Sequence, residues 1–208
     1  MNIISFSLFG NNPKYCHGAI HNSRLTKEFF PDWRMRLYYQ NIEKNILNQI
    51  DQDTELIEIK DDPLYGYVWR LYVAEDPIVD KYIVRDVDDR LNRSDSLIVK
   101  NWLESDKNFH VIRSIPQHRI MPAGMWGGKK CLPMREKLLN FNTIRPFRVY
   151  GDDEAFLESQ IYPIIREDCI VYGFGSYPRD ALVKPFPDGT VGSVGEVYEW
   201  DIERSKFN

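Results

Sequence analysis

Lys81-Tyr82-Ile83-Val84-Arg85-Asp86-Val87-Asp88-Asp89-Arg90 is the stretch on which the reading of this chain turns. Lys81–Val84 is short, apolar and β-branched, as buried strands are, and it runs without a break into Asp86. In an open α/β sheet, ligands collect outside the carboxyl ends of the strands. Residues i and i+2 of an extended segment point the same way. Asp86 and Asp88 are therefore expected to project together from a strand end, where two carboxylates can share one hard cation and leave positions open for phosphate oxygens. The same residues also read as a solvated acidic turn. An EF-hand is excluded, because its fifth position would be Arg90, its sixth would be Leu91 in place of Gly, and no Glu stands at its twelfth.

Outward from this stretch, strands and helices alternate. Asn2–Phe9 reads as a strand ending in the turn cluster Gly10-Asn11-Asn12-Pro13, and Ala19–Phe30 as a helix stopped by Pro31. Trp33–Tyr39 returns to strand character, Ile42–Ile50 reads as helix and Glu55–Ile59 as a short strand. Tyr67–Glu75 suggests a helix halted by Asp76-Pro77, and Ser94–Ser105 a helix capped by Ser94 or Asp95, with strand again at Phe109–Ile112. This order predicts an α/β fold, a single Rossmann-like domain whose mainly parallel central sheet carries helices on both faces. Beyond Ser114 the pattern loosens. Ile115–Lys130, with two prolines and three glycines, reads as a long loop near His110 and His118. Helices are expected near Pro133–Phe141 and Asp153–Ile165, a strand at Cys169–Tyr172, and a loop over Gly173–Gly195. Nothing repeats, and residues 1–208 read as one domain, either whole or cut from a longer multidomain protein.

Composition narrows the function classes. Across 208 residues, 27 Lys and Arg face 31 Asp and Glu, a formal charge of −4. No basic excess calls for a nucleic-acid partner. Three cysteines (Cys16, Cys131, Cys169) cannot all pair within one chain and fit a reducing compartment. No basic leader with a cleavage site and no apolar run of membrane-spanning length is present, so a cytoplasmic protein without a membrane span is expected.

Other stretches carry possible chemistry. In Pro122-Ala123-Gly124-Met125-Trp126-Gly127-Gly128, glycines let backbone approach a ligand while the indole offers a flat face, or the stretch is a tight turn with a core Trp. In Gly151-Asp152-Asp153-Glu154-Ala155-Phe156-Leu157, an acid at a helix start is first a cap and second a substrate-facing carboxylate. Arg70, among aromatics in Val68–Tyr72, either snorkels to the surface or binds phosphate. Cys16-His17 with His21 offers too few ligands for a metal.

Taken in order, Ser5-Phe6-Ser7-Leu8-Phe9-Gly10, Pro13-Lys14-Tyr15, Trp69-Arg70, the acidic stretch Arg85–Arg90, Gly124-Met125-Trp126-Gly127 and Asp153-Glu154 with Phe156-Leu157 resemble GT-A-type glycosyltransferase domains, some of them encoded by large DNA viruses. The likeness runs from about Ser5 to about Ile165. It implies a nucleotide-sugar donor, most often a UDP-sugar, and a glycan or glycoprotein acceptor. It implies that Asp86 and Asp88 hold Mn²⁺ or Mg²⁺ against the donor diphosphate, with Val87 between them. It places Phe6, Ser7, Leu8, Gly10 and Tyr15 around base and ribose, and Arg70 near the nucleotide. It places Arg85, His118, Gly124, Met125, Trp126, Gly127 and Glu154 around donor sugar and acceptor. Asp153, with Asp152 beside it, matches the acidic catalytic position. Transfer with retention of configuration is the expectation, and a viral chain would work in the host cytoplasm. Two departures stand out: Glu154 replaces the Gln of many relatives, and no His follows His118 to complete a metal site. The competing readings are a non-catalytic nucleotide-sugar or carbohydrate-binding module and a phosphohydrolase with an Asp nucleophile.

Overall fold

The computed structural model describes residues 1–114, 120–173, 183–191 and 194. Its centre is β1 (Asn2–Phe9), in which every residue from Ile3 to Leu8 is buried. Ile4, Phe6 and Leu8 face one side and pack with α1 (Pro13–Phe29) and α3 (Arg93–Leu103) through Ile20, Ile98 and Trp102. Ile3 faces the other side, among Trp69, Leu71, Trp126 and Phe156. A strand covered on both faces leaves little room for polar alternation, which is why β1 reads as a nearly continuous apolar run.

Strands β2 (Arg34–Gln40), β3 (Glu55–Glu58), β4 (Lys81–Arg85), β5 (Phe109–Arg113), β6 (Met125–Gly128), β7 (Cys169–Gly173) and β8 (Val183–Lys184) complete one eight-stranded sheet. Its order is β3-β2-β1-β4-β6-β5-β7-β8. Every pairing is parallel except those of β6, which runs antiparallel between β4 and β5. The expectation of a mainly parallel sheet with helices on both faces therefore holds.

Several expectations change. First, Ile115–Lys130 is not loop throughout, since Met125–Gly128 is the antiparallel strand β6. Its glycines hid it from a reading by strand propensity, yet they let it fit. A Cβ on Gly127 would lie 2.4 Å from the Tyr82 carbonyl oxygen, and one on Gly128 would lie at the same distance from the Tyr82 hydroxyl oxygen. Second, α1 begins at Pro13, not Ala19: Asn12 Oδ1 accepts the Lys14 N–H at 3.0 Å and Pro13 occupies the first turn. The region 42–50 keeps one helical turn, α2 (Lys44–Leu47), and Gly66–Glu75 is a 3₁₀ helix. Third, the helix expected over Asp153–Ile165 is α5 (Asp152–Phe156), a π turn at Leu157–Ile161 and α6 (Tyr162–Ile165). Pro163 has no N–H to give an α-helical bond, and a widened turn just before it absorbs the defect. Helix α4 (Met134–Ile144) matches expectation, and β8 lies within the stretch read as a terminal loop. Among the described residues no helix is long and apolar enough to cross a membrane.

Candidate functional site

The end of β4 is locked in place by backbone contacts. The Asp89 N–H donates to the Asp86 carbonyl at 3.2 Å and closes a turn. Asn22 of α1 donates to the Val87 and Asp89 carbonyls at 3.2 and 2.8 Å and accepts the Leu91 N–H at 3.1 Å. Gly18 of α1 approaches so closely that a Cβ there would stand 2.0 Å from the Val87 carbonyl oxygen. The Val87 side chain is buried beneath the turn, while Asp86 and Asp88 stay partly open to solvent.

On the other face, the 3₁₀ helix comes close to β1 because Ser5 stands there: its hydroxyl donates to the Arg70 carbonyl at 2.7 Å. The Arg70 guanidinium then reaches two acids distant in sequence. Its Nη2 lies 2.8 Å from Asp86 Oδ1 and 2.9 Å from Asp153 Oδ2, at the start of α5. Its Nε is buried without a hydrogen-bond partner. Gly124 closes the remaining side of Asp86, where a Cβ would lie 2.0 Å from Oδ2 and 2.8 Å from the backbone nitrogen. Lys14, in the first turn of α1, bonds Asp88 Oδ2 at 2.6 Å, and its ammonium sits 5.3 Å from the centre of the Tyr15 ring. Beside them Phe9 meets Tyr65 edge-on at 5.4 Å and Trp69 at 6.1 Å, with Tyr65 half exposed.

Negative charge is in excess here. Burial raises the Asp86 carboxyl above the usual carboxylate range; Arg70 opposes the rise, and Asp88 and Asp153 add to it. Burial, then Asp86 and Asp88, push Asp89 well above that range. Burial, then Asp153 and Asp152, likewise raise the Tyr67 hydroxyl. All the donor atoms are oxygen, and Arg70 and Lys14 bond three of the four carboxylates. That chemistry fits a hard divalent cation at Asp86 and Asp88. Among the described residues no group of three or more His, Cys, Asp or Glu forms a ready metal cluster, so further ligands would come from water or a bound anion.

Several expected contact residues serve the frame. Arg85 is buried and grips Asp95 of α3 with Nε and Nη2, at 3.0 and 2.8 Å, while Nη1 donates to the Val84 and Trp126 carbonyls. Asp152, 1% exposed, accepts the Arg148 and Val149 N–H groups at 3.0 and 2.9 Å and the Arg145 guanidinium at 2.8 Å. Burial opposes these bonds, yet together they hold its carboxyl below the usual range. Phe6, Leu8, Met125 and Trp126 are core side chains, Trp126 edge-on to Tyr82 at 5.5 Å. Ser7 is buried with its hydroxyl unpartnered, and Gly127 packs on β4 and His110. Gly10 ends β1 at φ +68, a turn that glycine makes without strain. Tyr15 stands beside Lys14 and Glu154 follows Asp153 in α5, while His118 falls outside the described residues. Sequence reasoning missed Lys14, Asp89, Phe9, Tyr65 and Tyr67. For Lys14 a signal existed, since it directly follows the turn that ends β1.

No known protein-family profile and no curated protein matches this chain. Among solved structures, the fold is that of GT-A-type glycosyltransferases. The glycosyltransferase GlyE of Streptococcus pneumoniae TIGR4 superposes with a TM-score of 0.56 at 14% identity, over 82% of this chain and 44% of that one, so the chain spans less than half of GlyE. The galactosyltransferase LgtC, in complex with donor and acceptor sugar analogues, gives 0.55 at 11% identity over 83% of this chain and 73% of that one. The mannosyltransferase PcManGT of Pyrobaculum calidifontis, in complex with GDP-Man and Mn²⁺, gives 0.50 at 14% identity over 90% and 57%.

Proposed function

We propose that this chain is a metal-dependent glycosyltransferase that moves a sugar from a nucleotide-sugar donor, a UDP-sugar, to a hydroxyl of a glycan or glycoprotein, with retention of configuration. One observation carries the reading: a single buried guanidinium, Arg70, joins Asp86 at the end of β4 to Asp153 at the start of α5. The acidic strand end and the second acidic motif thus become two walls of one site. The complexes of LgtC with donor and acceptor analogues and of PcManGT with GDP-Man and Mn²⁺ support a sugar-nucleotide role for this fold.

Each side chain then has a task. Asp86 and Asp88 would hold Mn²⁺ or Mg²⁺. That ion, when bound, neutralises the leaving diphosphate as a Lewis acid. Arg70 orients Asp153, whose carboxylate faces the positive charge that develops at the anomeric carbon. Gly124 lets the backbone pack directly against Asp86, where any side chain would clash. Phe9 and the half-exposed Tyr65 offer an aromatic shelf for the base. Arg85 and Asp152 act as positioning residues, the first through Asp95 and the second through the 145–152 segment. Glu154, next to Asp153, would contact the donor sugar, and Tyr15 the ribose. Three free thiols suit a cytoplasmic location.

The test is calorimetric titration of UDP and UDP-glucose, with and without Mn²⁺, on wild type, Asp88→Ala and Asp153→Ala. Mn²⁺-dependent binding to wild type is expected, weakened at least about tenfold by Asp88→Ala. Asp153→Ala should keep nucleotide binding and lose UDP release from the donor. Wild type that binds no nucleotide under any condition, or binding unaffected by Asp88→Ala, would overturn the reading.

A further inference from the structure

Asp88 already carries a cation. Lys14 Nζ sits 2.6 Å from its Oδ2, and both side chains are largely buried, with 28% and 16% of their surface exposed. Withdrawing two charges from water costs free energy that an ion pair seldom recovers in full, so such a pair is weakly explained by stability alone. The geometry also differs from that of Arg70. Arg70 is fixed through its carbonyl by Ser5 and bridges two acids from within the core. Lys14 stands at the start of α1 on a flexible four-carbon stem, and its ammonium has one bonded acid. It can leave Asp88 without disturbing the frame.

We propose that Lys14 is a phosphate-binding residue that the free protein stores on Asp88. This inference rests on the donor-site reading above. Its ammonium occupies the carboxylate until a divalent cation and a nucleoside diphosphate arrive together. The cation takes Asp88, and Lys14 turns to the diphosphate oxygens. A cation alone must displace Lys14 with nothing to receive the ammonium, whereas the paired ligands provide a new partner. Metal and nucleotide binding are therefore positively coupled through this residue.

The experiment measures Mn²⁺ alone, by electron paramagnetic resonance of the free ion, and UDP at saturating Mn²⁺, by calorimetry. The proteins are wild type, Lys14→Met, Lys14→Arg and Asp88→Asn. Methionine keeps the apolar stem, and matched circular dichroism establishes that the variant is folded. Lys14→Met is expected to bind Mn²⁺ about threefold or more tightly than wild type, because the competing ammonium is gone. It should bind UDP about ten- to a hundredfold more weakly, as loss of a charge-assisted bond to phosphate predicts. Lys14→Arg should restore UDP binding in large part. Equal or weaker Mn²⁺ binding in Lys14→Met, or unchanged UDP binding, overturns the proposal. In that case Asp88→Asn still loses Mn²⁺, and the donor-site reading stands. Wild type that binds neither Mn²⁺ nor UDP overturns both.

Discussion

Replacing Arg70 with Met probes the centre of the site. The guanidinium is 8% exposed and lies 2.8 Å from Asp86 and 2.9 Å from Asp153, whose side chains are 36% and 12% exposed. Methionine fills most of the volume but leaves two carboxylates facing each other with no cation between them. Removing one partner of a buried ion pair costs about 3–5 kcal/mol. Because a third of Asp86 is open to water, the lower end, about 3 kcal/mol, applies here. For a chain of this length each kcal/mol shifts the melting temperature by about 2–4 °C, so a fall of about 6–12 °C is expected near pH 7. The pH dependence follows from charge. In the variant both carboxyls lose their counter-ion, and the Asp86 carboxyl, already raised in the fold by burial, rises further above its unfolded value. The folded state then binds more protons than the unfolded one, so stability falls as pH rises and the deficit is greatest near neutrality. Scanning calorimetry at about pH 7 and pH 5 reads both effects, and the gap to wild type should narrow at the lower pH. A melting temperature within about 2 °C of wild type near pH 7, or a gap that widens on acidification, would refute the bridging role.

Two further substitutions test the frame. Gly124→Ala puts a Cβ 2.0 Å from Asp86 Oδ2 and 2.8 Å from the Asp86 nitrogen; the carboxylate can swing away, but the backbone cannot. Overpacking should cost about 1–3 kcal/mol and weaken Mn²⁺-dependent UDP binding together with stability. Unchanged UDP affinity would show that Asp86 is not held from this side. Asp152→Asn should lose about 1.5–3 kcal/mol in urea denaturation near pH 7, where its carboxylate accepts bonds from Arg145 and two amides. Its pKa is depressed in the fold, so wild type holds this stability above the ordinary Asp range and loses it as pH falls through the depressed value. The two proteins should therefore converge in acid, and a constant difference down to about pH 2 would contradict the cause assigned to the shift.

Much of this architecture is legible in the chain, for identifiable reasons. Strands buried on both faces are rich in apolar, β-branched and aromatic residues, so β1, β4 and β5 announce themselves. In β6 close packing selects Gly127 and Gly128 over strand-forming residues, and the usual signal is missing. Asp86 and Asp88 are readable because they directly follow a buried strand and Val87 between them is apolar, although residues 86–89 form a closed turn and not the extended segment expected. The partnership of Arg70 with Asp153 spans 83 positions, and no local pattern encodes it. Nor does sequence separate Asp152 from Asp153. The turn of α5 sends the first into the amides of Arg148 and Val149 and the second to Arg70.

The two glycines that press on the acidic turn explain how the site can be rigid and still overcharged. Gly18 brings α1 against the Val87 carbonyl, and Gly124 lies directly against Asp86. The turn is thus held between a helix and the approach to a strand by backbone contacts, with Asn22 bonding its carbonyls. Its shape does not depend on the charges it displays. Side chains alone, paired across the cleft, would relax toward whatever arrangement neutralised them best. A backbone-clamped turn cannot, so Asp86 and Asp89 remain where their carboxyls are raised above the usual range. Fixed, partly desolvated charge of this kind interacts strongly with an incoming ligand because little reorganisation is left to make. The movable part is confined to Lys14, on a flexible stem at the rim, and the fixed part to Arg70, tied by its carbonyl to Ser5 in β1.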